Sequence, residues 1–247
     1  MVNNKRVALI AGASGGIGSA VWRELASQRL TTYGGYNRSE EKAATTAEDI
    51  RASDGIAESV HLDVSDGDLI EKVCEKIFKK EGRLDILVNC AATNRESPAL
   101  GMEDETWKMV TETNLDGAFH LCRSAAKYMM LGRWGRIVNL SSVTASSGGR
   151  GQINYAVSKA GVEAMTRVLA LELGRKNILV NCVAPGVIET EMSERIRQEH
   201  GARLLDTIAM RRFGKPKEIA EVVAFLISDS TSYINGQVIR VDGGMVL

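Results

Sequence analysis

Short β-branched runs alternate with longer amphipathic stretches from one end of this chain to the other. The runs at 6–11, 31–36, 59–62, 86–91, 136–140, 178–183 and 238–241 read as strands. Several are apolar at consecutive positions, such as Val7-Ala-Leu-Ile10 and Ile86-Leu-Val88. A strand of that kind suits a parallel sheet covered by helices on both faces. Helical periodicity fills the intervals at 16–28, 40–53, 66–80, 103–130, 155–174 and 216–228. In Ile219-Ala-Glu-Val-Val-Ala-Phe-Leu-Ile227 the apolar positions recur at helical spacing. Strand–helix alternation without a Pro/Ser-rich linker or a repeat predicts one domain over 1–247, a doubly wound α/β sheet with right-handed crossovers. The least regular stretch is 189–215, where a short charged helical segment follows the sixth strand; its place suits a substrate lid.

Composition narrows the function classes. Acidic and basic residues balance at 31 each in 247 residues, so no electrostatic case arises for nucleic acid or an anionic membrane. No apolar run approaches the ~20 residues of a membrane span. The first residues run directly into a strand with no leader pattern, so a cytoplasmic protein is expected. Cys74, Cys90, Cys122 and Cys182 stand in apolar segments without ligand spacing and read as buried thiols. The three histidines are isolated, and no metal is expected.

Two motifs carry chemistry. Gly12-Ala-Ser-Gly-Gly16-Ile-Gly18 follows the first strand and opens the first helix. Glycines there let the backbone turn sharply beside a ligand, and the helix N-terminus offers unpaired N–H groups to phosphate. The second is Tyr155-x-x-x-Lys159, with Ser141-Ser142 just upstream. One helical turn brings a phenol and an ammonium together, and a nearby cation favours phenolate.

These motifs, with Asp63-Val64, Asn89-Cys-Ala-Ala92, Asn114 and Pro185-Gly186, occur in the order found in the classical short-chain dehydrogenases/reductases. The chain resembles that family from about Lys5 to Val246. Its Asn181–Met192 segment, Arg212-Phe-Gly-Lys-Pro216 and Val241-Asp-Gly-Gly-Met245 are most similar to the 3-oxoacyl-[acyl-carrier-protein] reductase branch. The resemblance implies a Rossmann fold with a seven-stranded parallel sheet. It implies Tyr155 as general acid, Lys159 lowering the tyrosine pKa and binding the nicotinamide ribose, and Ser142 holding the substrate oxygen. Asn114, a poor helix former inside a long helix, would hold a relay water. Ser141 is the rival to Ser142, and the family's spacing to the tyrosine selects Ser142.

For the cofactor, the resemblance assigns the phosphates to Gly12, Ser14, Gly15, Gly16, Ile17 and Gly18. It sets Asp63 and Val64 beside the adenine, Asn89 and Ala91 near a ribose, and Pro185, Gly186, Ile188 and Thr190 near the nicotinamide. The second strand ends in Gly34-Gly-Tyr-Asn-Arg38 without an acid, so NADPH is expected over NADH. Arg38 would clamp the 2′-phosphate, with Asn37 and Ser39 as partners. Gly15 departs from the many NADP-dependent relatives that have a second arginine there. Ala92 replaces a usual glycine, and Ala11 stands where threonine is frequent.

The expected reaction is reduction of a 3-oxoacyl thioester on an acyl carrier protein, in fatty-acid or polyketide-like biosynthesis, with Arg133, Arg175 and Lys176 docking the acidic carrier beside the active-site mouth. Helices 103–130 and 155–174 and the last strand resemble the family's subunit interfaces, so a homotetramer is expected. Two alternatives remain: a reductase or dehydrogenase of a free polyol, sugar or cyclic ketone, and a non-catalytic nucleotide-binding regulator.

Overall fold

A computed structural model describes residues 5–246. Seven strands form one sheet: β1 (Val7–Ala11), β2 (Thr31–Tyr36), β3 (Ile56–His61), β4 (Ile86–Asn89), β5 (Gly135–Leu140), β6 (Ile178–Pro185) and β7 (Val238–Val241), in the order β3-β2-β1-β4-β5-β6-β7. Every neighbouring pair is parallel. Parallel neighbours cannot be joined by a tight turn, so helices must cross over the faces. These are α1 (Gly16–Ser27), α2 (Glu40–Ala52), α3 (Gly67–Glu81), α4 (Asp104–Thr111), α5 (Gly117–Gly132), α6 (Thr144–Ser147), α7 (Ile153–Leu173), α8 (Glu191–Thr207) and α9 (Pro216–Ile227).

The alternation of β1 divides the core. Val7, Leu9 and Ala11 pack with α3, α5 and α7, while Ala8 and Ile10 pack with α1, α2 and α9. Both faces are buried, as the double-sided apolar runs require. Helix ends follow local chemistry. The Asp66 carboxylate accepts from the Leu69 amide at 2.9 Å to start α3, and Gly82 in the left-handed conformation ends it.

Four boundaries differ from those the periodicity predicts. β3 begins at Ile56, β4 stops at Asn89 and β6 runs on to Pro185. The predicted helix 103–130 is interrupted: a π-type turn, Glu112–Asp116, separates α4 from α5, which extends to Gly132. Segment 189–215 holds a 17-residue helix, α8, kinked at His200. It has no buried residue and hence no apolar stripe to announce it. Its start is fixed by reciprocal capping between Thr190 and Ser193.

Trp22 on α1 is fully buried, lies over Gly34 of β2, and donates its indole N–H to Thr32 Oγ1 at 2.8 Å. A Cβ on Gly34 would come within 2.3 Å of the Trp22 ring, which that bond holds in place. Gly34→Ala is expected to lower stability by about 1–3 kcal/mol through overpacking. Urea denaturation would read this as a lower midpoint at unchanged slope; an unchanged midpoint would show that the ring moves freely.

Candidate functional site

Because all strands run the same way, their carboxyl ends gather at one edge of the sheet, and every sequence-predicted catalytic and cofactor residue lies on or just beyond that edge or on the helices over it. Directly after β1, Gly12 takes φ +74°. A Cβ there would sit 2.7 Å from the Ala91 amide nitrogen at the end of β4, so the two strand ends touch backbone to backbone. Gly15 N–H bonds Gly12 C=O at 3.1 Å to close the turn. A Cβ on Gly18 would meet that same Gly12 oxygen at 2.1 Å. Helix α1 then starts at Gly16 with no side-chain cap and no acidic residue in its first turn. Ser14 to Ile17 therefore present an uncapped helix N-terminus, a site for anionic oxygen. Thr190 crosses this turn, its Cγ2 2.7 Å from where a Gly16 Cβ would lie.

Next to it, Asn37 and Arg38 after β2, Asp63 and Ser65 after β3, and Lys108 and Met109 of α4 line an open cavity of about 350 Å³. Burial pushes the Asp63 carboxyl up, but bonds from Ser65 and Asn37 and the nearby His61 outweigh it, leaving the carboxyl below its ordinary value. Ser39, Val64, Asn89 and Ala91 follow the same strand ends, and Asn89 Oδ1 accepts from the Ala91 N–H at 3.2 Å. Pro185, Gly186 and Ile188 continue β6 toward Thr190.

The four predicted catalytic residues come together across three elements. Ser142 follows β5, and its hydroxyl bonds Thr144 Oγ1 and the Thr144 N–H, each at 3.2 Å. Tyr155 and Lys159 lie on α7. Burial pushes the Tyr155 phenol up to about 12, and its contact with Ser142 pulls the other way. The Lys159 ammonium is buried, donates to the Leu140 carbonyl at 2.8 Å and stands 5.6 Å from the Tyr155 ring centroid. Burial brings it down to about 8, against the favourable influence of Cys182 and Cys90. Against the expected lowering by Lys159, the net shift of the tyrosine is upward: desolvation dominates both groups, and the ammonium faces a β5 carbonyl.

Asn114 sits in the π-type turn with its amide fully engaged. Its Oδ1 accepts from Thr93 N–H at 2.8 Å, and its Nδ2 donates to Thr93 C=O at 2.9 Å and Ser158 Oγ at 3.1 Å. The side chain clamps the loop after β4 to α7. A relay water here would need a backbone carbonyl freed by the turn.

Several residues at the site escaped the motif reading. Buried Asn154 accepts from the Tyr155 N–H at 2.8 Å and donates to Arg95 C=O at 3.0 Å, fixing the start of α7. Glu96 accepts from Gln152 and from Arg195 of α8, both at 2.6 Å. Beside them, Asn94 carries a buried Oδ1 with no partner among the described residues. The local sequence does not signal the Asn154–Arg95 and Arg195–Glu96 contacts, because the partners are 59 and 99 residues apart. The expected docking residues are displaced: Arg133 precedes β5, and Arg175 and Lys176 precede β6. They lie at the amino-terminal edge of the sheet, opposite this chain's own active-site mouth, because the residues before a parallel strand and those after it occupy opposite edges.

A family profile described as enoyl-(acyl carrier protein) reductase matches residues 12–246. The 3-oxoacyl-[acyl-carrier-protein] reductase of Thermotoga maritima is 43% identical over 98% of this chain and 98% of its own. The chain belongs to the short-chain dehydrogenase/reductase family. The reductases of the same name from Aquifex aeolicus and Staphylococcus aureus strain N315 are 41% and 38% identical, each over 97% of this chain and 97–98% of its own. Among solved structures, a candidate gluconate dehydrogenase from Agrobacterium tumefaciens superposes with a TM-score of 0.94 at 32% identity, covering 98% of this chain and 97% of its own.

Membership of this family implies a nicotinamide dinucleotide, and the residues fit one. The turn leaves no room for a Cβ at Gly12, Gly16 or Gly18 yet presents free helix N–H groups, as a pyrophosphate requires. The catalytic corner offers a phenol that stays protonated at neutral pH, a hydroxyl beside it, and a buried cation one helical turn away. Such a group can donate a proton to an oxygen that gains negative charge. No helix among the described residues is long and apolar enough to cross a membrane, and no acid–His–Cys cluster among them could hold a metal.

The Lys159 shift has a stability consequence. Unfolded, the lysine holds its proton up to about 10.5; folded, it releases it near about 8. Below pH 8 both states are charged and the folded state bears the whole desolvation cost. Between those values the unfolded state binds more protons, so wild-type stability rises with pH. Lys159→Met is therefore expected to be more stable than wild type by about 1–3 kcal/mol near neutral pH, an advantage that shrinks as pH approaches 10. Urea denaturation at the two pH values checks this; a pH-independent difference would mean that the ammonium is not desolvated.

Proposed function

We propose that the chain is an NADPH-dependent reductase of 3-oxoacyl thioesters carried on acyl carrier protein, acting in fatty-acid biosynthesis. The observation that carries this is the 43% identity to the Thermotoga maritima reductase over 98% of both chains. Tyr155, Ser142, Lys159 and Asn114 stand together at the carboxyl edge, and a regulator would be free to lose at least one of them. Four free cysteines fit a reducing cytoplasm.

A nicotinamide held here would provide the hydride that the carbonyl carbon needs. Ser142 and Tyr155 hold the carbonyl oxygen, and the tyrosine O–H passes its proton to that oxygen as it becomes an alkoxide. The high phenol pKa keeps the donor loaded at neutral pH. The Lys159 cation stabilises the phenolate left behind and reaches the ribose hydroxyls. Asn114 and Asn154 act through position, holding the loop after β4 and the start of α7. Gly12 to Gly18 carry the pyrophosphate, Asp63 and Val64 flank the adenine, and Arg38 with Ser39 meets the 2′-phosphate.

Assembly as a homotetramer with two-fold axes accounts for the exposed apolar side chains on helices that face away from the sheet: Phe119 of α5, Val168 and Leu171 of α7, and Phe225 of α9. In such an assembly Arg133, Arg175 and Lys176 would serve a neighbouring subunit's mouth, not their own. A second reading, oxidation or reduction of a free sugar acid or polyol, is favoured by the Agrobacterium tumefaciens structure.

Loss of NADPH absorbance with a 3-oxoacyl thioester, run beside gluconate with NAD and NADP, separates the two. Thioester turnover with NADPH is expected; turnover on gluconate alone would favour the second reading. Tyr155→Phe should lower kcat by about 10²–10⁴-fold while leaving NADPH binding intact. Full activity in that variant would remove Tyr155 as the proton donor.

A further inference from the structure

The phosphate turn lacks a cation where many NADP-dependent members of the family have one, because Gly15 has no side chain. The cavity beside it holds two positive groups from different elements: Arg38, after β2, and Lys108, on α4. Neither makes an ion pair among the described residues. For Lys108 this is informative. Glu105 and Glu112 stand three residues before it and four after it on the same helical run, spacings that normally draw a lysine into a pair. Two other lysines of the chain do pair at that spacing, Lys79 with Glu75 and Lys217 with Glu221.

The charge balance of the cavity makes one cation insufficient. Asp63, Glu105 and Glu112 line the same space. A guanidinium alone would meet a dianion against three carboxylates. The ammonium on α4 adds a second cation from a different element to the same cavity. Asp63 is already satisfied by Ser65 and Asn37, so it does not compete for Arg38.

We propose that Lys108 is a specificity-determining residue that grips the 2′-phosphate of NADPH from α4, together with Arg38, in the role that a side chain at position 15 fills elsewhere. The proposal rests on the NADPH reading and deepens it. It also gives α4 a function: the helix that leads into the Asn114 turn carries a cofactor contact, so 2′-phosphate recognition is coupled to the element that positions the catalytic corner.

The test is equilibrium binding, read by quenching of protein fluorescence, of NADPH, NADH and adenosine 2′,5′-bisphosphate to wild type, Lys108→Met and Arg38→Met. Lys108→Met should weaken NADPH and the bisphosphate by roughly ten-fold while moving NADH less than about two-fold, and salt should weaken wild-type NADPH binding more than the variant's. Equal weakening of NADPH and NADH, or no change in either, would overturn the role of Lys108. If Arg38→Met loses NADPH preference and Lys108→Met keeps it, the cofactor assignment stands and this proposal fails. If wild type binds NADH as tightly as NADPH, both fail together. Circular dichroism of each variant guards against unfolding, and Lys108→Arg should restore NADPH preference if charge is what matters.

Discussion

A single lysine ammonium, buried at the carboxyl edge of the sheet, sets the terms for the site around it. An isolated cation in such a place is costly, and the fold offsets part of that cost with the Leu140 carbonyl at the end of β5. The same edge carries the Gly12 turn, which touches the end of β4 closely enough that no Cβ fits. Three strand ends, β1, β4 and β5, are thereby held in one rigid register, and α7 brings Tyr155 and Lys159 down onto them. Parallel direction is the cause of this convergence.

What the sequence made legible follows from local rules. The consecutive apolar residues of β1 announced a strand buried on both faces, and Gly12 to Gly18 announced the turn into a helix N-terminus, because both depend on nearest neighbours in the chain. The break at Glu112–Asp116 did not show, since its cause is tertiary: Asn114 reaches across to Thr93 and Ser158. Helix α8 was reduced to a short segment because its faces are solvated and periodicity has nothing to report there. The tyrosine pKa was misjudged for a related reason. Spacing along a helix gives the distance between Tyr155 and Lys159, but not the desolvation that outweighs their attraction. Likewise, Arg133, Arg175 and Lys176 were placed at the mouth by resemblance to the branch, while their positions just before β5 and β6 carry them to the far edge.

Helix α8 is built as an excursion from a firm base. Ile188 bridges Gly214, with Glu189 N–H bonding Gly214 C=O at 2.8 Å, and Arg212 grips Glu218 through two bonds of 2.6 and 2.9 Å. Below it, Met210 N–H bonds Gly243 C=O in the turn that Asp242 organises. The rest of α8 is tied by exposed contacts: Lys42–Glu191 to α2, Arg195–Glu96 to the loop after β4, Arg211–Asp206 at its end, and Arg197 over the Phe213 ring. Exposed pairs contribute about 0–1 kcal/mol each, far less than a buried helix face. The helix is therefore held far more weakly than the elements beneath it.

The strand-end corner and the surface above it are thus held in different ways. Ser142 follows β5 directly, while Tyr155 and the buried Lys159 come from α7, whose start is fixed by Asn154 and whose lysine meets the Leu140 carbonyl. Above them lie α8, the loop from Thr93 to Glu96, and the glycine-rich segment before Asn154, which the core constrains little, since no buried residue lies in α8. Glu96 links all three by accepting from Gln152 and Arg195. The upper surface is therefore tied through one exposed carboxylate, while the corner beneath it is held by hydrogen bonds that buried side chains make to the backbone.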